Sequence, residues 1–392
     1  REFDATKELK HLIYLDANNL YGWAMSQSLP VKDFRFLTDD EIKSLFGNFM
    51  IDIDDDYKTG YIFDVDLEYH PDLHDHHNCL PLAPERLTID ETMYSPFQKE
   101  FPKQLPQARL TPNLRNKSNY IVHYRNLKLY LELGMKITKI HRVLSFTQSP
   151  WLANYIYYNT NCRKKSKSAF EKDFYKLMNN AVFGKTNENL RNRVNVEVIT
   201  DKKMALKRIA KPCFKRSQII HEDLVIIQNA VTTLKLNKPI YVGFSVLDLS
   251  KLLMYSFHYK HIKTKYETNV QLLFSDTDSL LYEIKTHDIY RDMEKDKEMY
   301  DFSDYPNDHF LQSNVNKKVI GKFKDELNGK VLEEFCGLRA KCYSIYYDCL
   351  EKQRKMTAKG TKKSVKMRHL YHEHYLEVLN ILLTFTVSQN II

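Results

Sequence analysis

The chain has 392 residues and a net charge of +9; apolar residues make up 43%, aromatics 12% and charged residues 28%. That allows a sizeable core and two or three domains or one large multi-part enzyme, and the positive balance favours a polyanionic partner. The six cysteines form no CxxC pair and no zinc-finger spacing, which excludes those metal modules and reads as reduced thiols in an intracellular protein. No run reaches the roughly 18 apolar residues of a membrane span, and no signal peptide is visible. The chain begins with Arg1 rather than Met, and is read as a fragment.

Charge is unevenly spread. Residues 38–100 hold 16 acids against 4 Lys/Arg, residues 150–216 hold 16 Lys/Arg against 5 acids, and residues 352–368 hold 8 Lys/Arg and no acid. Two basic tracts interleaved with aromatics suit a nucleic-acid groove.

In chain order, HLIYLD (11–16) reads as a buried strand ending on Asp16, followed by the turn-prone Asn18 and Asn19. Residues 38–115 are acidic and Pro-rich, and loops with short strands are expected; the Asp52–Asp56 run reads as solvated loop. Helical spacing returns over 114–133 and from Pro150, with Ser149-Pro150 as a helix start. In SAFEKDFYKLMNNAVFGK, Ser168 and Glu171 make a capping box and Gly184 a stop. Phe170, Phe174, Leu177, Met178, Ala181 and Val182 define the expected buried face, while Lys172, Lys176 and Asn180 form a polar stripe that Phe183 joins. A helix is expected over 246–259. Asn328-Gly329 reads as a hairpin between two strand-like arms, and 337–347 as one strand with Lys341 and Tyr343 on one face. The tail turns helical from Tyr371.

The chemistry concentrates in FSDTDS (274–279). On a strand, Asp276 and Asp278 would face one way, as an acidic turn or as a metal pair. If Asp16 joins them, three carboxylates would suit Mg²⁺, with Mn²⁺ as a substitute. A metal pair can clamp the attacking and leaving oxygens of a phosphoryl displacement. Lys172 and Lys176 would neutralise a triphosphate, amides after Asp16 would cradle its oxygens, and basic tracts would track a phosphate backbone. The sum is nucleotidyl transfer.

Five stretches in this order carry a resemblance: DANNLYG (16–22), KLMNNAVFG (176–184), SDTDS (275–279), KCY (341–343) and AKGTKK (358–363). They resemble motifs A, B and C, the KxY motif and the Lys-Gly thumb element of family B DNA polymerases. They look most like the protein-primed branch of viruses, linear plasmids and Polinton/Maverick-type transposons. The resemblance implies an α+β right-hand core with an antiparallel palm sheet, helical fingers and a truncated thumb. It divides the chain into palm (1–37), acidic insertion and palm (38–149), fingers (150–185), basic insertion (186–245), palm (246–350) and start of thumb (351–392).

It also implies roles. Asp16 and Asp278 would be the principal ligands of two metal ions, and Asp276 a more peripheral one. Tyr21 would be the steric gate beneath the incoming sugar. Lys176, with Lys172 and Arg163, would contact the triphosphate, Asn19 and Leu20 would also meet the nucleotide, and Asn180 and Phe183 would border the nascent base pair. Lys341 and Tyr343 would hold the primer end, and Lys359 the duplex backbone. The partners implied are DNA template-primer, dNTPs and a terminal priming protein, with no membrane and a monomeric enzyme. Ala181, Phe183 and Gly22 depart from the usual Ser, Tyr and Pro. With 15 residues before Asp16, a proofreading exonuclease is expected to be absent, and the thumb to be cut short at Ile392.

Two other classes stay open. One is a polymerase relic that binds nucleic acid without catalysis. The other is a two-metal nuclease, which would need neither Tyr21 nor the lysine stripe. RKKSK (163–167) is read as a fingers element rather than a nuclear localisation signal, and HPDLHDHHNC (70–79) lacks a closed zinc spacing.

Overall fold

The computed structural model describes residues 9–48, 58–89, 91–94, 96–99, 108–347 and 353–381; the Asp52–Asp56 run and the end of the tail lie outside these. A seven-stranded antiparallel sheet is the centre. Its order is Val270–Asp276, Ser279–Lys285, Lys10–Ala17, Leu332–Arg339, Cys342–Tyr347 and Gln353–Ala358, with Phe323–Asp325 also paired to Lys10–Ala17. Alternation along Lys10–Ala17 explains its place. Ile13, Leu15 and Ala17 face a core with Leu280, Tyr282, Ile284 and Phe257, whereas Tyr14 faces a smaller cluster with Leu281, Tyr343 and Ile345. Asp16, in phase with Tyr14, ends the strand on that second face.

A four-stranded sheet follows, ordered Leu29–Phe36, Lys136–Ser149, Thr59–Glu68 and Lys117–His123. Here the structure partly corrects the expectation of loops and short strands over 38–115: Glu85–Thr88 and Ala108–Thr111 have four residues each, but Thr59–Glu68 has 10. Acids that read as loop are satisfied across the sheet: Asp64 pairs with Arg142 at 3.0 Å and Asp66 with His141 at 2.8 Å. The helical reading of 114–133 is also half corrected, because Lys117–His123 is a strand and the helix is Tyr124–Glu132.

Helices Ala153–Lys165 and Ala169–Thr186 form an antiparallel pair, tied where Tyr155 Oη donates to the Met178 carbonyl at 3.2 Å. The first begins three residues after Pro150, since the strand runs to Ser149. The second has its Ser168 cap, Oγ accepting from Glu171 N at 3.1 Å, but runs past Gly184 to Thr186. Its expected buried face is not buried: Phe170 is 78% exposed, Leu177 62% and Phe174 45%. Periodicity reports an amphipathic helix, not which neighbour meets it. The helix rests instead on Asn179 and Thr186, with Val182 and Phe183 partly buried.

The basic insertion is a three-stranded sheet, Val194–Ile199, Leu224–Ala230 and Phe214–His221, with helix Lys202–Ile209. The long helix Ile240–Ser256, prolonged as a π-helix over Phe257–Lys263, joins the bodies. Its Asp248 accepts from His123 N at 2.8 Å, and its apolar side chains enter three core clusters. By length and composition Ile240–Asn269 is apolar enough to cross a membrane, which the sequence reading missed because Asp248 and Lys251 interrupt the run; 56% of its apolar 18-residue window is buried inside the protein, as in a core helix.

Two further expectations change. Asn328 and Gly329 have φ of 56° and 82°, as the turn demands. The arms, Phe323–Asp325 and Leu332–Arg339, nevertheless pair with Lys10–Ala17 and not with each other. Buried Asp325 shapes the turn, its carboxylate accepting from Leu327 N at 2.9 Å and Gly329 N at 2.8 Å. Likewise 337–347 is a hairpin rather than one strand, with Gly337 paired to Tyr343 and Lys341 in the turn at φ 59°. The tail is helical over His372–Ile381.

Candidate active site

Asp16 pairs in register with Ser279 on one side and Lys324 on the other. The Thr277-Asp278 turn, with Thr277 at φ 59°, joins Val270–Asp276 to Ser279–Lys285. Ala17 N donates to the Asp278 carbonyl at 2.7 Å, so Asp278 lies beside the end of the Asp16 strand. The burial of Asp16 pushes its carboxyl up to about 7, with Asp278 and Glu326 adding like-charge repulsion and Lys324 and Lys176 opposing. Asp278 is raised by burial, then by Asp276 and Glu326.

Asp276 is held differently. Lys341 Nζ lies 2.7 Å from both its oxygens. Among the described residues no group of three or more His, Cys, Asp or Glu side chains is gathered for a metal ion. Asp278 crowds Asp16, while Asp276, countered by Lys341, and Glu326 act on Asp278. The donor chemistry of Asp16 and Asp278, partly buried carboxylates under like-charge repulsion, fits a hard divalent cation.

Sequence reasoning missed two neighbours, Lys324 and Glu326, because they belong to none of the five stretches. Lys324 Nζ sits 3.7 Å from Asp16 and 3.0 Å from Glu326, and Lys355 reaches Glu326 at 3.4 Å. Burial alone would lower the Lys324 amine, but Glu326 and Asp16 hold it above its usual range.

The turn after Asp16 is built by Asn19. Asn19 takes the left-handed conformation at φ 47° and caps the helix Leu20–Ser26, its Oδ1 accepting from Gly22 N at 3.3 Å. A Cβ at Gly22 would meet Asn19 Nδ2 at 2.1 Å, so the cap needs glycine where the family has Pro. The Leu20 side chain is buried in the main core and offers no side-chain contact to a ligand. Tyr21 stacks on Phe183 at 4.4 Å between centroids and 14° between planes, joining this helix to the second finger-like helix. Burial and the charge of Asp278 raise its phenol.

Above the turn, a cleft is lined by Asn18, Asn19, Arg163, Lys176 and Lys318, among others. The Arg163 Nε is buried with no hydrogen-bond partner. Lys176 acts electrostatically on both Asp16 and Asp278, and Lys172 on Lys318. The lysine stripe thus meets the acids across this cleft, while Asn180 is exposed. Tyr343 is 6% exposed, packed on Phe274 at 4.6 Å with its hydroxyl 3.4 Å from that of Tyr14. Lys359 is exposed, and its N–H donates to the Lys341 carbonyl at 3.0 Å, bringing the KCY and AKGTKK stretches together. In the His-rich stretch, buried His77 has its Nδ1 2.9 Å from Tyr69 Oη, and Cys79 Sγ lies 3.5 Å from His258 Nε2.

The chain is similar in structure to phi29 DNA polymerase, at TM-score 0.53 and 14% identity over 94% of this chain and 54% of that one. The same polymerase complexed with primer-template DNA and incoming nucleotide gives TM-score 0.54 and 14% identity, over 95% and 55%. Complexed with single-stranded DNA it gives 0.51 and 14%, over 95% and 54%. This chain therefore spans about half the length of the polymerase it matches. No curated relative matches the sequence. Residues 4–272 match the family described as DNA polymerase type B, organellar and viral, a stretch that holds Asp16 and the lysine stripe and stops short of Asp276. On that match, with its α+β right-hand core, the chain belongs to the organellar and viral type B DNA polymerases.

Proposed function

We propose that the chain carries the polymerising centre of a DNA-directed DNA polymerase, extending a primer 3′-hydroxyl with dNTPs opposite a DNA template. The observation that carries this is the meeting of Asp16 and Asp278 at the strand ends, beside a cleft lined by Arg163 and Lys176, with Lys172 acting on Lys318 in the same cleft. Asp16 and Asp278 would hold the divalent metal. When bound, Mg²⁺ supplies charge stabilisation for the attacking and leaving oxygens. The chain's own residues do the positioning. Lys176 and Arg163 neutralise the phosphates, Tyr21 sets the floor under the sugar, and its stack with Phe183 carries the base-pair platform. The basic tracts of the sequence at 163–216 and 352–368 hold DNA by backbone charge, with Lys359 at the duplex. Protein priming of a viral or transposon genome is part of the same proposal, supported by the likeness of the motifs.

The test is primer extension with dNTPs and Mg²⁺, with a chelator control. Extension by the unaltered chain, lost on chelation and in Asp278→Asn while DNA binding persists, is expected. DNA binding without extension would instead assign a non-catalytic nucleic-acid-binding role, and cleavage without extension a nuclease.

A further inference from the structure

Lys318 belongs to none of the five stretches. It lies on the segment between the Asp278 turn and the strand Phe323–Asp325. Its backbone takes the left-handed conformation at φ 52°, uncommon for a residue with a side chain and held only where neighbours impose it. The neighbour here is Asp301, 4% exposed. One oxygen of its carboxylate accepts from Lys318 N at 2.7 Å and from Asn18 Nδ2 at 2.7 Å, and the other accepts from Ser303 N at 3.0 Å. Two backbone bonds complete the clamp: Asn18 N donates to the Lys322 carbonyl and Gly321 N to the Asn18 carbonyl, each at 2.8 Å. The turn carrying Lys318 is therefore fastened to the residue two beyond Asp16.

The Lys318 side chain enters the same cleft as Arg163 and Lys176. Among the described residues no carboxylate pairs with Lys318, Lys172, Lys176 or Arg163. Burial, Arg163 and Lys172 together lower the Lys318 amine, with Asp304 opposing them. Several cations converging with no carboxylate in salt-bridge contact repel one another until a polyanion arrives. A DNA strand spreads its phosphates along a groove, which suits the extended basic tracts. A small cleft fed from two bodies suits contiguous phosphates.

We propose that Lys318 is a phosphate contact for the incoming nucleoside triphosphate, made from the sheet side of the cleft, with Asp301 as its positioning residue. The finger-like helices supply Arg163, Lys172 and Lys176, so those contacts follow the fingers. Lys318 is tied to the Asp16 strand and holds the triphosphate in register with the carboxylates wherever the fingers stand. This inference rests on the polymerase reading.

The experiment measures equilibrium binding of dATP, inorganic pyrophosphate and dAMP to the full chain, Lys318→Met and Lys318→Arg, with thermal melts to confirm folding. Lys318→Met is expected to weaken dATP and pyrophosphate about tenfold, the loss of one charged hydrogen bond. It should leave dAMP and primer-template binding unchanged, and Lys318→Arg should recover most of the affinity. Asp301→Ala should raise the KM for dNTP in the same direction while leaving primer-template binding unchanged. Equal dATP affinity in Lys318→Met and the unaltered chain, or no dATP binding by either, overturns the assignment. The two readings separate cleanly. Lys318-dependent dATP binding without primer extension removes the polymerase activity and keeps the phosphate contact, whereas extension with an unchanged dNTP KM in Lys318→Met removes the contact alone.

Discussion

Lys341 holds Asp276 by both carboxylate oxygens at 2.7 Å, while Asp278, two residues on, makes no such pair and has its carboxyl raised by burial. The two acids of one turn are thereby given different electrostatic states. Asp278→Asn is expected to lower primer extension by more than about a hundredfold, as removal of a group acting on transition-state charge does. Asp276→Asn should cost distinctly less, because its charge is already matched by Lys341. Single-turnover extension rates check this, and equal losses in the two variants would contradict it.

Tyr21 and Phe183 stack across the gap between two helices. If Tyr21 gates the sugar, its ring position depends on Phe183. Tyr21→Val should raise the ratio of ribonucleotide to deoxyribonucleotide incorporation, and Phe183→Ala should raise it less. Competition assays with ATP and dATP give the ratio. An unchanged ratio in an active Tyr21→Val chain would remove the gate role.

Crowded carboxylates should make the chain sensitive to Mg²⁺. Repulsion among Asp16, Asp278 and Glu326 is relieved when a cation binds, and binding to the folded state alone raises its stability. Mg²⁺ is expected to raise the melting temperature at pH 8 by a few degrees, about 1–3 °C. Asp16→Asn should abolish most of that shift and melt higher than the unaltered chain without metal. Differential scanning calorimetry with Mg²⁺ and with chelator measures both.

Acid should loosen the contact between the His-rich stretch and the long helix. Burial lowers His77 from 6.5 to about 4 and His258 from 6.5 to about 3. His77 faces Tyr69 and His76, while His258 faces Cys79 and Tyr282, and Lys263 acts on both histidines. Both pKa values are depressed in the folded state, so the unfolded chain binds more protons as pH falls. Their contribution is fully present above about 6.5 and is lost progressively toward pH 4. The urea midpoint should fall over that window, and less steeply in His77→Asn.

The acid-bearing strand ends were legible because DANNLYG and SDTDS combine strand alternation with turn residues and acids. Asn19 at φ 47° and Thr277 at φ 59° occupy those turns. The helix of 169–186 was legible in length and cap, but the face meeting protein was not, since Phe170 and Leu177 look toward solvent. Lys318, Lys324 and Glu326 were not legible at all. Each becomes meaningful only when a late segment folds back against Asp16, and local patterns carry no record of such pairings. The Asn328-Gly329 turn shows the same limit, with its local geometry correct and its strand partners set elsewhere in the sheet.

The strand carrying Asp16 lies at the middle of the central sheet, yet its register partners, Ser279 and Lys324, both come from the last third of the chain. On a ribosome adding roughly 5–20 residues per second, that strand waits about 15–60 s for its neighbours. The four-stranded sheet of residues 29–149 can close long before. A half-made chain would then carry a folded body and an unpaired apolar strand, with Asp16 present but Asp278 not yet made. The Asp16–Asp278 pair is not complete until synthesis has passed Asp278, and the bare Lys10–Ala17 strand of a prematurely released product is where a chaperone would be needed.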